Sequence, residues 1–163
     1  MLCPMSRLPG EASSETLDDQ GAATTPTAVV ERFLALLAAA DLDGALQLVA
    51  ADIEYENVSL PTVHGRDRMR RLFGAGYERG GGFEVYLHGI SADGETVLTE
   101  RTDVLTYGDL RVQLWVCGRF DVRDGQIVRW RDYFDWLNVA GAITRGLLGM
   151  AVPALQPNPP STV

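Results

Sequence analysis

Five polar residues in this 163-residue chain have the types and spacing for proton-transfer chemistry. Side chains on a strand point alternately to its two faces. Read as a strand, TERTDVL (99–105) puts Arg101 and Asp103 on one face with Thr99 and Leu105; Leu98, Glu100, Thr102, Val104 and Thr106 take the other. DIEYENV (52–58) puts Tyr55 and Asn57 together with Ile53, and in WRDYFD (130–135) the apolar markers Trp130 and Phe134 share their face with Asp132. One guanidinium and two carboxylates sum to a charge of −1 (Arg101 +1, Asp103 −1, Asp132 −1). Burial disfavours net charge, so the trio is expected to hold one extra proton. One carboxyl is then an acid and the other a base, and the planar fork of arginine can grip both. The same residues would also make a buried structural ion-pair network, and alternation alone does not separate the two readings.

These residues need a sheet to carry them and helices to cover it. TPTAVVERFLALLAAAD (25–41) reads as a helix capped by Thr25, with Pro26 in its first turn and Val30, Phe33, Leu34 and Leu37 as its buried stripe. A short helix follows from an Asp41 or Asp43 cap, then the strand DIEYENV, then a helix over 65–80 with Met69, Leu72, Phe73 and Gly76 inward. The period then changes to two. Strands over 83–92 and 96–107 are joined at Asp93-Gly94, strands over 110–122 and 126–136 at Asp124-Gly125, and Gly108-Asp109 links the middle pair. A last helix (137–150) carries Val139, Ile143, Leu147 and Met150 on one side. The expected fold is α+β, a strongly curved mixed or antiparallel sheet with helices on one side forming a cone-shaped pocket. Leu105, Leu114, Val116, Trp130, Phe134, Val139 and Leu147 are its expected apolar walls, and Gly74, Gly76, Gly118 and the glycines at 80–82 are expected to leave room for a substrate. A single domain spans 24–151. Residues 1–23 read as a disordered extension and 152–163, with four prolines, as an irregular tail.

Tyr55-x-Asn57, Arg101-x-Asp103 and the 130–135 segment, in this order and spacing, resemble the limonene-1,2-epoxide hydrolases, within the wider class of α+β cones that includes ketosteroid isomerase and polyketide cyclases. The resemblance covers roughly residues 25–150. It implies a water held by Tyr55, Asn57 and the base Asp132, an acid Asp103 that protonates the epoxide oxygen, and Arg101 bridging the two. It implies a vicinal diol as product and no metal or organic cofactor. Runner-up readings are an isomerase or polyketide cyclase of the same fold, which needs one base and an oxyanion donor, and a non-catalytic small-molecule-binding domain, which has no need of five convergent polar groups.

The rest of the composition narrows the partners. A net charge of −8 argues against nucleic acid and anionic membranes, and the basic run at 66–71 reads as a solvated helix face. Cys3 and Cys117 do not suggest a disulfide, and His64 and His88 lack ligand spacing, so no metal site is expected. No stretch is apolar for long enough to span a bilayer and the N-terminus lacks an apolar signal core, so a cytoplasmic protein is expected. Trp115, Val104 and Tyr133 on the outer sheet face lead to the expectation of a homodimer through that face. His64 is expected in a loop, His88 outside, and Asp135 at a strand end or helix cap.

Overall fold

The computed structural model describes residues 25–158 and 160; the extension expected over 1–23 lies outside the described residues. The order is α1 (Pro26–Ala38), α2 (Leu42–Gln47), β1 (Val49–Asn57), β2 (Val63–His64), α3 (Arg66–Glu78), β3 (Gly81–Asp93), β4 (Thr96–Tyr107), β5 (Leu110–Arg123), β6 (Gln126–Tyr133) and α4 (Trp136–Ala151), closed by a 3₁₀ turn (Pro153–Leu155). The strands form one mixed sheet in the order β2-β1-β6-β5-β4-β3, with β1 parallel to β6 and the other pairs antiparallel.

Local chemistry sets the helix starts. The Thr25 hydroxyl accepts from the Ala28 N–H and the Asp41 carboxylate from that of Gly44, satisfying donors that a helix N-terminus leaves free. Val29, Val30, Phe33, Leu34 and Leu37 of α1 are buried against the concave face. The core there is aromatic. Phe33 meets Trp130 edge-on at 5.2 Å and Phe120 at 6.4 Å, and Trp130 also contacts Tyr55 (4.5 Å), Phe120 (5.6 Å) and Phe73 (5.8 Å).

Four details differ from the sequence expectation. First, β1 begins at Val49, because Val49 and Ala50 are buried in the sheet and the short helix ends before them. Second, His64 belongs to the two-residue strand β2, opposite Glu54, a pairing too short to leave a period in the sequence. Third, part of the tail is docked: Gln156 Nε2 donates to the carbonyls of Asp109 (3.2 Å) and Gly149 (3.4 Å), and Gln113 Nε2 donates to that of Asn158 (2.7 Å).

The fourth difference is the face that α4 buries. Val139 and Ala142 pack on the Val112, Leu114 and Val116 cluster of β5, and Gly146 and Gly149 are the fully buried positions. Ile143, Leu147 and Met150 are half exposed instead. A Cβ on Gly146 would lie 2.6 Å from the Arg111 carbonyl oxygen. The small residues let the helix axis approach the strand, and that approach rotates the larger side chains outward.

Gly146→Ala should therefore lower stability by about 1–3 kcal/mol, the usual cost of overpacking. Gly141→Ala in the same helix, where nothing lies within 4 Å of the added carbon, should raise it by up to about 1 kcal/mol. Urea unfolding of the two variants against wild type measures both.

Candidate active site

The sheet register assembles the site. Asn57, Asp132, Gly118 and Thr99 lie side by side on β1, β6, β5 and β4. Tyr55 and Trp130 form the next pair along β1 and β6, and Arg101 and Asp103 follow Thr99 along the same face of β4. All five sequence-derived polar residues meet at one place.

Arg101 is fully buried and makes the central contacts. Its Nε and Nη2 donate to Asp103 Oδ1 and Oδ2 (2.9 and 3.1 Å), a bidentate grip, and Nη2 also donates to Asp132 Oδ2 at 2.6 Å. Its Nη1 donates to the Thr99 hydroxyl at 3.1 Å. The guanidinium carbon sits 5.8 and 5.9 Å from the ring centroids of Phe120 and Trp130. Trp130 Nε1 donates to Asp132 Oδ1 at 2.7 Å, so both oxygens of Asp132 are held. The Tyr55 hydroxyl donates to Asn57 Oδ1 at 3.1 Å. Among the described residues no buried side-chain nitrogen or oxygen lacks a hydrogen-bond partner.

Burial dominates the electrostatics. It pushes Asp103 up to about 6 despite the opposing pull of Arg101. Burial raises Asp132 as well, again against Arg101 and with the Trp130 N–H also opposing it. Burial, reinforced by the Asp132 charge, holds the Tyr55 hydroxyl protonated far above its ordinary range. For Arg101 burial acts to weaken the proton's hold, but the two carboxylates outweigh it and the guanidinium stays charged. The trio thus favours one positive charge, one negative charge and one shared proton on the carboxyls.

The polar cluster forms the floor of a cavity of about 490 Å³. Tyr55, Asn57, Asp103 and Asp132 line it, together with Leu105, Leu114, Trp130, Phe134 and Val139 from the expected apolar set. Val116 and Leu147 do not. Val116 is buried in the cluster that Phe134 and Val139 cover, and Leu147 is carried outward by the close packing of α4. Tyr77, Phe83 and Trp136 are lining residues absent from the expected set, and Thr106, which alternation assigns to the opposite face of β4 from Asp103, lines the cavity as well, because the strand nears its end there. Gly76, Gly81 and Gly82 open onto the cavity as expected; Gly74, which faces Leu42, and Gly80 do not line it, and Gly118 leaves no room for a substrate, because the Arg101 guanidinium occupies that space. Asp135 caps α4, accepting from the N–H groups of Leu137 and Asn138, and His88 bonds Thr102 on the outer face. No group of three or more His, Cys, Asp or Glu among the described residues is placed to hold a metal ion, and no helix among them is long and apolar enough to cross a membrane.

The fold is thus a curved α+β cone with a buried carboxylate–guanidinium–carboxylate bridge at the floor of a largely apolar cup. The sequence model of the limonene-1,2-epoxide hydrolase catalytic domain matches residues 24–145, and the chain belongs to the limonene-1,2-epoxide hydrolase family. It is 46% identical over 131 residues to the epoxide hydrolase EphG of Mycobacterium tuberculosis, covering 78% of this chain and 85% of that one. A solved structure of an M. tuberculosis epoxide hydrolase of the same type superposes with a TM-score of 0.78 at 44% identity, over 82% of this chain and 95% of that one. A candidate ketosteroid isomerase from Kribbella flavida (TM-score 0.57, 22% identity, 68% of this chain and 77% of that one) shares the fold alone.

The raised Asp103 carboxyl has a stability consequence. Because its folded value of about 6 exceeds the ordinary 3.8, the folded state holds this proton more tightly than the unfolded chain does. The stabilisation is complete below the unfolded value and is lost as pH rises through about 6. Asp103→Asn removes that loss, so urea unfolding should find it more stable than wild type by about 1 kcal/mol at pH 8. At pH 4 that advantage should vanish.

Proposed function

We propose that this epoxide hydrolase opens an apolar epoxide, terpene-sized or larger, to a vicinal diol by one-step attack of water, with Asp132 as base and Asp103 as acid. The observation that carries this reading is the fully buried Arg101 joined to both carboxyls beside the cavity. Water is a poor nucleophile until a base takes its proton, and the opening epoxide oxygen is too basic to leave without an acid. As the water oxygen bonds to carbon and the carbon–oxygen bond breaks, Asp132 accepts a proton and Asp103 delivers one. The trio ends as it began, with one proton on two carboxyls, so Arg101 balances the same charge throughout. Tyr55 and Asn57 offer a donor and acceptors beside Asp132 and fit a role in aiming the water. An isomerase or cyclase would have no use for an arginine clamped between two carboxyls.

The route without a covalent ester is supported by the cavity lining, which among the described residues includes no histidine to activate a second water. One turnover in oxygen-18 water, with enzyme in excess, should place the label directly in the diol; label in the carboxyl of Asp103 or Asp132 would refute one-step attack. Asp103→Asn and Asp132→Asn should each stay folded and lose about 10²–10⁴-fold in kcat, and near wild-type turnover in either would overturn its assigned role.

The same reading includes a homodimer through the outer sheet face. Trp115, Tyr133 and Leu98 are each about half exposed there. They stand among pairs that the chain already satisfies, Arg111–Glu84 and Arg131–Glu56. Val104, expected as part of that contact, is buried within the chain itself and contributes nothing to it. Light scattering should give a dimer mass at micromolar concentration and a monomer for Trp115→Glu; a wild-type monomer would contradict the proposal.

A further inference from the structure

Arg101 on β4 must reach Asp132 on β6, with the whole of β5 in between. Two strand spacings put those backbones about 10 Å apart, so the guanidinium has to cross β5 itself. It crosses at Gly118. A Cβ there would lie 2.2 Å from Arg101 Nη1, 2.6 Å from Thr99 Oγ1 and 3.1 Å from Asp132 Oδ1. Thr99 stands directly opposite Gly118 in the register, accepts the Nη1 hydrogen bond at 3.1 Å, and turns its own hydroxyl toward the Gly118 carbonyl at 3.5 Å. Thr99 is buried, although it touches neither cavity nor carboxyl. Nothing in the reaction requires a threonine at this place; the guanidinium does.

We propose that Thr99 and Gly118 are positioning residues that together form the seat of Arg101: Gly118 by having no side chain where the guanidinium crosses β5, and Thr99 by fixing Nη1 so that the opposite edge of the fork faces both carboxyls. The inference rests on the acid–base reading of Asp103 and Asp132. The titratable groups facing the guanidinium are those two carboxyls and Tyr55; β5 contributes Val116, Gly118 and Phe120, none of which titrates. An arginine that loses its seat lowers the proton affinity of both carboxyls less, so both limbs of the pH profile move to higher pH.

Thr99→Val keeps the shape and removes the hydroxyl, leaving a buried N–H of a charged group without its partner. It should cut kcat about tenfold or more, leave KM within about twofold, and move both limbs upward; Thr99→Ser should restore wild-type behaviour. Gly118→Ala displaces the guanidinium itself and should cost about 10²-fold in kcat; should it fail to fold, the Thr99 pair still decides. The idea is overturned if Thr99→Val keeps wild-type kcat and profile, if its loss follows the folded fraction seen by circular dichroism with no shift in pH, or if serine fails to rescue it. Carbon-13 NMR titration of the labelled aspartate carboxyls in wild type and Thr99→Val reads the same shift without substrate. An unmoved titration therefore refutes the seat alone, whereas absence of epoxide turnover by the wild-type enzyme refutes the acid–base reading alone.

Discussion

Arg101 has no contact with water, and a guanidinium does not give up its charge when buried. Its burial has to be compensated by carboxylates, and one carboxylate would have sufficed for neutrality. The fold supplies two, from strands on either side of β5, and so keeps one negative charge in excess. A proton is the smallest correction for that excess. Burial raises both carboxyls and so favours holding a proton beside an ionised carboxylate more than water would. The aromatic packing around Trp130 and Phe120 is what excludes water and makes the arrangement hold.

The same packing fixes Asp132. Trp130 is stacked against Phe120 and Phe73, and its indole N–H reaches Asp132, so the core and the site share a side chain. Stability and chemistry are coupled through it. The carboxylate is aimed by a ring that the hydrophobic core holds still, and the excess negative charge is a cost that the core must offset. The cavity takes a more apolar character on its other walls, which are built largely of leucine, valine and phenylalanine.

Glycine does two unlike things in this chain. At Gly146 it lets a helix approach a strand, and the larger residues of α4 turn away from the body. At Gly118 it lets a charged side chain pass over a strand. Both are close approaches that a single methyl group would prevent, and neither needs the backbone freedom for which glycine is usually chosen. Gly81 and Gly82 belong with them in part: each added Cβ would meet an oxygen, of Gly76 or Thr106, within 3 Å.

Much of this was legible in the residues themselves. Alternation put Tyr55 with Asn57, Arg101 with Asp103 and Asp132 with Trp130, because a strand has a period of two whatever surrounds it. The charge sum called for a shared proton, because burial penalises net charge in any fold. Turn residues and caps marked most element ends, since Asp-Gly turns and Thr25 act through their nearest neighbours. The turns marked the neighbours among β3 to β6, but which strand stands beside β1 was not legible. The parallel pairing of β1 with β6, which brings Asn57 beside Asp132, joins residues 75 apart in the chain through backbone bonds that carry no sequence label. The face α4 buries was misread for a related reason: periodicity counts apolar side chains, whereas close packing here selected their absence. Gly118 is the sharpest case. Read alone it was empty space for a substrate, and only the crossing of Arg101 from β4 to β6 decided that the space was already filled.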